Sequence, residues 1–354
     1  MRKLTFLACA AIVFFGCAHD TMIEPDQRAL SSSKKSPETA AKASPSVVTY
    51  MTGDPADVTT NAVGGLLLMG GSTDVDVAIE WFLQRAAGGD VVVIRSSGAD
   101  GYNQYMYDMV PVNSVETIMI DSRAKAELTS VADKIRNAEA LFIAGGDQWN
   151  YVSYWKNTPT EDAINYLLNT KHVTVGGTSA GLAILGSAYY SGERGSVTSA
   201  QALGNPYHRY VTLGQADFLS HPHLVNTITD SHYTQRDRQG RHIVFLARLM
   251  QDFAYTTIKG IGVDEQTAVC IDEAGIGRVY GTNSAYFIRN TNLGPETCVS
   301  GTPLTWNRSA MAVSTYKITG SLTGNGSFNA TNWTFSGGNS YFAYVNNGVM
   351  ATNP

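Results

Sequence analysis

VTVGGTSAGLAIL, at residues 173–185, places a G-x-S-x-G pentapeptide between an apolar run of strand type and an apolar run of helix type. A serine on such a sharp strand-to-helix turn is lifted out of the sheet, and its glycine neighbours let a substrate approach its Oγ. The next backbone N–H lies at a helix N-terminus, where it can hold an oxyanion. We therefore interpret Ser179 as a candidate nucleophile and Ala180 as an oxyanion donor. The alternative is a glycine turn that only packs a helix on a strand.

Apolar runs of strand length alternate with helical patterns on the N-terminal side of this stretch. A capping box at Thr73 and Asp76 predicts the start of the first helix. Continuous apolar strands that alternate with helices are typical of parallel sheets covered on both faces. The fold class is therefore α/β, a mainly parallel sheet flanked by helices, and sites in such sheets lie at the carboxyl ends of strands. The predicted strands are residues 66–69, 90–96, 117–120 and 140–144.

The N-terminus has the pattern of a secretory signal, because two cationic residues precede an apolar run at 4–15 that is too short to span a bilayer. Cys17 follows Gly16 as in a bacterial lipoprotein signal, where this cysteine is lipidated. The alternative is ordinary cleavage after Ala18. We assign residues 1–18 to the signal and expect a secreted, periplasmic or cell-surface protein.

Three further segments follow the signal. Residues 19–45 are rich in Ser, Lys, Ala, Pro and Thr, which is typical of a flexible tether. Residues 46–299 hold the α/β pattern. From 300 to 354, Ser, Thr, Asn and Gly alternate with aromatic residues, which predicts short antiparallel strands. This β-rich extension is either an appendage or a set of extra edge strands.

Composition excludes some classes of function. The 354 residues carry a net charge of -5, which argues against a nucleic-acid-binding surface as the main function. No paired cysteines indicate a metal site. Cys270 and Cys298 form either one disulfide or two separate buried thiols, since sequence does not give their distance.

A serine nucleophile needs a base, and the chain offers His232. It follows the strand-like run at 224–229, which places it just past a carboxyl end, where it would meet Ser179 at one edge of a single sheet. His172 lies too far from such an end. His221 and His223 could pair on a metal, but two ligands without a third are a weak signal.

The base also needs a carboxylate to orient it. Glu193 lies fourteen residues after Ser179 in a loop-like, glycine-flanked segment, and we prefer it for this role. Asp217 and Asp230 are rivals. Glu193 could equally be a solvated surface group paired with Arg194.

Two further groups of residues indicate how a substrate is held. Gly145 and Gly146 follow a strand, so their N–H groups can point at an oxyanion, and the Gln148 side chain can hydrogen-bond a substrate. Three arginines come soon after His232, and arginine matches carboxylates bidentately, which favours an acidic substrate. A solvated helix start explains the same cluster equally well. These arginines are Arg236, Arg238 and Arg241.

Together the motifs resemble the cyanophycinase and peptidase E family. GGTSAG at 176–181, GGDQ at 145–148 and DSHYTQRDRQGR at 230–241 carry the resemblance, which covers roughly residues 64–290. It implies a serine exopeptidase with a fold like that of class I glutamine amidotransferases. Such enzymes cut cyanophycin, a polyaspartate with arginines on its side chains, into β-aspartyl-arginine dipeptides. They are typically homodimers, and the resemblance implies neither a metal nor an organic cofactor.

The resemblance also implies roles for individual residues. Ser179 would be the nucleophile, His232 the base and Glu193 the third member of the triad. The family usually has Gln where Ser231 stands and Phe where Tyr233 stands. These departures leave the peptidase interpretation intact but favour a related aspartyl or isoaspartyl peptide as a further candidate substrate. The positions that match substrate-binding residues are Gln148, Asp230, Ser231, Arg236, Arg238 and Arg241.

Two other functions compete with this interpretation. An α/β-hydrolase esterase shares G-x-S-x-G but usually places its histidine later and has no reason for the arginine cluster. A surface lipoprotein that binds aspartyl peptides without hydrolysing them would keep the scaffold and lose the activity.

Overall fold

Two β-sheets that share an apolar core organise residues 45–354, the part of the chain that this computed structural model describes. The predicted signal at 1–18, with Cys17, and nearly all of the predicted tether at 19–45 lie outside these residues. The described strands, in chain order, are β1 (Val48–Gly53), β2 (Gly65–Met69), β3 (Asp90–Arg95), β4 (Ser114–Met119), β5 (Ala140–Ile143), β6 (Thr174–Thr178), β7 (Ala188–Tyr190), β8 (Leu213–Gln215), β9 (Thr227–Asp230), β10 (Lys259–Val263), β11 (Thr267–Asp272), β12 (Ile276–Gly281), β13 (Ser284–Asn290), β14 (Val313–Thr319), β15 (Asn325–Asn329), β16 (Thr334–Ser336), β17 (Asn339–Asn346) and β18 (Val349–Asn353).

Helices cover the sheets and connect the parallel strands. A π-helical turn at Leu167–Lys171 and a 3₁₀ turn at Pro222–Leu224 supplement them. None of the helices between residues 45 and 354 is long and apolar enough to cross a membrane. The α-helices of this part are α1 (Asp76–Gln84), α2 (Asn103–Met109), α3 (Arg123–Ala126), α4 (Thr129–Asn137), α5 (Gln148–Trp155), α6 (Pro159–Tyr166), α7 (Ala180–Ala183), α8 (Ser199–Gly204) and α9 (Gln239–Phe253).

The first sheet has the strand order β1-β4-β3-β5-β6-β2-β11-β12-β15-β16. Its five strands from β4 to β2 are mutually parallel, and all five residues of β2 are buried, as expected of strands covered on both faces. The remaining strands at both edges run antiparallel. The prediction of a mainly parallel sheet is therefore not confirmed, because only the centre of this sheet is parallel.

The second sheet has the order β18-β17-β14-β13-β10-β9-β7-β8 and is mostly antiparallel. Its parallel neighbours are β7 with β9, and β9 with β10. The C-terminal part is β-rich, as predicted, and its strands extend both sheets. β14, β17 and β18 continue the second sheet, whereas β15 and β16 form an edge of the first.

The structure tests two local predictions, the capping box of the first helix and the state of the two cysteines. The capping box at Thr73 and Asp76 is wrong, because α1 begins at Asp76 and its N-cap residue, Val75, makes no side-chain cap. For the cysteines, the structure resolves the open alternative: Cys270 and Cys298 are both buried free thiols.

Candidate active site

Ser179 stands on the turn between β6 and α7 with backbone angles φ 52° and ψ −111°. This left-handed region is costly for a residue with a Cβ, and it persists only where the surroundings enforce it. The Ser179 N–H donates to the carbonyl oxygen of Met69, 3.0 Å away, which anchors the turn to the end of β2. The strained backbone lifts the side chain above the carboxyl edge of the first sheet.

The two glycines of the pentapeptide are required by close packing across the turn. A Cβ at Gly177 would lie 2.5 Å from the carbonyl carbon of Gly181. A Cβ at Gly181 would collide with the carbonyl oxygen of Ile143 in β5. The strand and the short helix can therefore approach this closely only with glycine at both positions.

His232 supplies an imidazole to this serine. It lies two residues beyond β9, is buried, and has its Nε2 2.7 Å from the Oγ of Ser179. Its backbone N–H donates to the carbonyl oxygen of Gly70 at 2.9 Å. The sequence-predicted nucleophile and base are thus brought together, but from different sheets: β6 belongs to the first and β9 to the second. The prediction of a single shared sheet edge is wrong.

Glu265, not Glu193, is the carboxylate in contact with His232. Its Oε1 accepts a hydrogen bond from the His232 Nδ1 at 2.6 Å. This contact fixes the tautomer that leaves Nε2 free to accept the Ser179 hydroxyl proton. β9 and β10 are parallel neighbours, so the residues that follow them lie side by side.

The acids considered from sequence lie elsewhere. Glu193 lines a separate groove of about 610 Å³ together with Trp149, and its backbone N–H donates to Ser191. Asp217 pairs with Lys156. The signal that could have identified Glu265 is the same one used for His232: a polar residue just past an apolar strand, here KGIGV at 259–263.

The pKa of His232 is lowered from its ordinary value. Burial is the main cause; the hydrogen bond that the imidazole donates to Glu265 opposes it, and the charges of Arg236 and Arg238 add to the lowering. The imidazole is therefore neutral at pH 7, the state in which it can act as a general base.

Two glycine turns flank Ser179 at the sheet edge. A Cβ on Gly145, just after β5, would lie 3.5 Å from the Ser179 Cβ. On the other side Gly71 has φ 99°, and a Cβ there would lie 2.6 Å from the His232 ring. The first N–H groups of α7, beginning with Ala180, have no intrahelical acceptor. The surroundings of Ser179 therefore offer backbone donors, and at Gly71 they leave no room for a side chain.

A cleft of about 270 Å³ opens beside the Gly145 turn. The Gln148 amide reaches the carbonyl oxygen of Tyr190 across it. The predicted residues Gln148, Arg238 and Arg241 are thus grouped in one cleft. Its lining residues are Gly146, Asp147, Gln148, Tyr190, Gly192, Gly195, Ser196, Arg238 and Arg241.

The three arginines differ in their partners. Arg241 is buried and bonds both carboxylate oxygens of Asp230, at 2.8 and 2.6 Å. Burial alone would raise the pKa of Asp230, but Arg241 and Arg238 outweigh it and hold that pKa below its ordinary value. The bidentate partner of Arg241 is therefore inside the protein.

Arg238 and Arg236 are bound less tightly by carboxylates of the protein than Arg241 is. Arg238 donates to the carbonyl oxygen of Ser231 at 2.9 Å and more weakly to its hydroxyl, so Ser231 is part of the loop that positions this arginine. Burial lowers the pKa of Arg238 to about 10, so it stays cationic at pH 7. Arg236 is half exposed, 3.7 Å from Glu265. Arg238 also pairs with Asp230 at 3.4 Å and lines the cleft.

His221 and His223, the candidate metal pair, have no third metal ligand beside them in residues 45–354. His221 accepts a hydrogen bond from the backbone of His223, and burial lowers its pKa to about 3. No group of three side chains able to bind a metal occurs in the described range 45–354.

Comparison with known proteins identifies a family and several similar proteins. The model of Peptidase family S51 matches residues 66–279. A cyanophycinase from Synechococcus elongatus is 25% identical over 249 residues, which cover 66% of this chain and 72% of that protein. A cyanophycinase from Trichormus variabilis is 26% identical over 189 residues, 53% and 57% of the two chains. The crystal structure of a peptidase from an acI-B1 Actinobacterium aligns with a TM-score of 0.44 at 14% identity and covers 64% of this chain and 91% of its own.

Proposed function

Because the chain belongs to peptidase family S51 and is a serine-type peptidase, we propose that it is a cyanophycinase-like exopeptidase. Its substrates would be cyanophycin or related aspartyl and isoaspartyl peptides, and its products dipeptides of the β-aspartyl-arginine type. One observation carries the proposal: the hydrogen-bonded series from Ser179 through His232 to Glu265 stands beside a cleft lined by Gln148 and Arg238.

In this mechanism His232 takes the hydroxyl proton at Nε2 while the Ser179 Oγ attacks the carbonyl carbon of an aspartyl residue. Glu265 stabilises the imidazolium that forms. The imidazolium then gives its proton to the leaving amine, and the acyl group remains on Ser179. A water molecule, deprotonated by His232, attacks this ester; the acyl–oxygen bond breaks, His232 returns the proton to the Ser179 Oγ, and the aspartyl product leaves.

The oxyanion of each tetrahedral intermediate would be held by the N–H of Ala180 and by the turn at Gly145 and Gly146. Removal of one such donor costs about 10²–10³-fold in kcat in serine hydrolases. Arg238 and Arg236 would attract the substrate carboxylate. Arg241 would act indirectly, because its own carboxylate partner is Asp230.

The proposal is tested by incubating the protein with cyanophycin, with β-aspartyl dipeptides and with a simple ester. We expect the parent to release β-aspartyl dipeptides and the Ser179→Ala and His232→Ala variants to release none. Hydrolysis of the ester alone would support an esterase instead. Equal turnover by the parent and Ser179→Ala would mean that the activity is a contaminant and that the protein only binds peptides.

We also propose export and self-association. The signal-like N-terminus and Cys17 support a lipid-anchored or secreted enzyme, and the resemblance of the sequence motifs implies a homodimer with an amidotransferase-like core. Membrane fractionation of the parent and of Cys17→Ala tests the anchor, and sedimentation velocity tests the dimer. Release of the parent from membranes without detergent would contradict the lipid anchor, and a monomer at all concentrations would contradict the dimer.

A further inference from the structure

A second cavity, of about 490 Å³, opens near Ser179 and differs in charge from the arginine cleft. We call it the aspartate–tyrosine cavity. Carboxylates and aromatic rings dominate its wall, together with a single arginine. Its lining residues are Thr73, Asp74, Asp76, Arg95, Gly101, Tyr102 and Tyr105.

The aspartate–tyrosine cavity lies at the same sheet edge as the nucleophile. Arg95 ends β3, and Thr73 lies two residues beyond Gly71. A Cβ on Gly71 would be 3.1 Å from the Ser179 Cβ, so the segment that lines the cavity begins against the serine itself. A substrate held at Ser179 can therefore extend into this space.

The cavity and the arginine cleft lie on opposite faces of the first sheet. α1 and α2, which contribute the cavity wall, pack on the face that carries Leu67 and Met69. α5, which begins at Gln148 in the cleft, packs on the face that carries Leu66 and Leu68. Successive strand residues point to opposite faces, so the two spaces flank Ser179 from either side.

The carboxylates of the cavity lack a cationic partner. Within residues 45–354 neither Asp74 nor Asp76 forms an ion pair. Their hydrogen bonds are to neutral tyrosines: Tyr105 donates to Asp76 at 2.7 Å, and Tyr102 hydrogen-bonds Asp74. Arg95 turns its guanidinium to the backbone carbonyls of its own loop, with Ala99 at 2.7 Å. Burial raises the pKa of Asp74, so a cation in the cavity would relieve an unfavourable charge.

The aromatic rings of the cavity are fixed by packing and can contact a planar cation. The Tyr102 ring packs 4.9 Å from the ring of Phe142 in the core and 6.4 Å from that of Tyr105. Faces of tyrosine rings attract guanidinium and ammonium groups, most strongly when water is partly excluded. Carboxylates beside fixed rings are a combination that suits a basic side chain rather than an anion.

We propose that the aspartate–tyrosine cavity binds the cationic side chain of the residue attached to the scissile aspartyl group. This inference rests on the proposed peptidase function. Asp74 and Asp76 are then specificity-determining residues. The site carries opposite charges on its two sides. Arginines bind the acidic part of the substrate on one side of Ser179, and aspartates bind its basic part on the other.

The test uses binding, so that it does not depend on turnover. β-Aspartyl-arginine and β-aspartyl-citrulline have nearly the same shape and differ in charge. Their affinities for the Ser179→Ala protein are measured by calorimetry. The same measurement is made with Asp74→Asn/Asp76→Asn added, and with Asp133→Asn, an exposed aspartate on α4, as the matched control.

We expect the arginine dipeptide to bind about tenfold more tightly than the citrulline dipeptide, as for one cation–π contact plus partly screened charges. The double variant should bring the two affinities within about twofold, and Asp133→Asn should leave the preference intact. Equal affinities in the Ser179→Ala protein, or a preference that survives the double substitution, would overturn the inference. Failure of the parent to release β-aspartyl dipeptides from cyanophycin, with the binding preference intact, would count against the peptidase proposal alone.

Discussion

His232 and Glu265 are 33 residues apart in the chain and meet at 2.6 Å because each follows one of two parallel neighbouring strands. Ser179 comes to the same point from the other sheet. The segment of Gly70 and Gly71 joins the two parts, since Gly70 accepts from the His232 backbone and Gly71 accepts from the backbone of Gln266. The site is thus a junction between two sheets.

Glu265→Gln should lower kcat by roughly 10²–10⁴-fold with little change in KM, the range by which positioned acid–base groups contribute. The amide cannot stabilise the imidazolium and can hold the wrong tautomer. Glu193→Gln is the matched control and should stay within about twofold of the parent, because nothing ties Glu193 to His232. Rates of dipeptide release by both variants check this. A large loss in Glu193→Gln with an active Glu265→Gln would reverse the assignment.

The local part of this site was accessible from sequence. The strand, the turn and the small residues around Ser179 are encoded within residues 174–183, and His232 lies two residues beyond its strand. Periodicity and glycine spacing therefore predicted both positions and the parallel centre of the first sheet.

The partner of His232 was missed because it depends on strand order. Nothing local to Glu265 states that β10 lies next to β9, or that these strands leave the first sheet for a second. Glu193 was preferred because it is close to Ser179 in the sequence, but it lies on a loop and lines another groove. The antiparallel edge strands of the first sheet were missed for the same reason. A run of apolar residues predicts a buried strand but does not show whether that strand runs parallel or antiparallel to its neighbour.

The acid limb of the kcat/KM profile should have its midpoint below about pH 6.5, the ordinary value for histidine, because kcat/KM reports the groups of the free enzyme. Burial lowers the pKa of His232, Glu265 opposes this lowering, and the charges of Arg236 and Arg238 increase it. The imidazole therefore stays neutral, and active as a base, at lower pH than an ordinary histidine. Arg236→Gln removes one of these charges and should move the limb to higher pH. Arg278→Gln, exposed on β12, should not. Initial rates from pH 4 to 9 measure both, and a limb that moves to lower pH in Arg236→Gln would contradict the account.

Gly71→Ala should abolish turnover, because its Cβ would lie 2.6 Å from the His232 ring. Gly88→Ala is a control for backbone strain alone. Gly88 also has a positive φ, but no atom lies within 4 Å of a Cβ there. Both variants should lose about 1–2 kcal/mol of unfolding free energy from the left-handed conformation. Urea unfolding and dipeptide release separate the effects; an active Gly71→Ala protein would show that the ring has room to move.

Arg241→Met should destabilise the fold by roughly 3–5 kcal/mol, since it leaves the buried carboxylate of Asp230 without its partner. Asp230→Asn/Arg241→Met removes both charges and should recover much of this loss. The comparison is made by urea unfolding at pH 7.

The same pair should make stability depend on pH. The folded-state pKa of Asp230 lies below its ordinary value, so its ionised form stabilises the fold above about pH 4 and this contribution is lost as the pH falls through the folded-state pKa. The gap in unfolding free energy between the parent and Asp230→Asn/Arg241→Met should therefore shrink in acid. A gap that widened below pH 4 would mean that Asp230 is protonated in the native state, and the bidentate pair would lose its electrostatic basis.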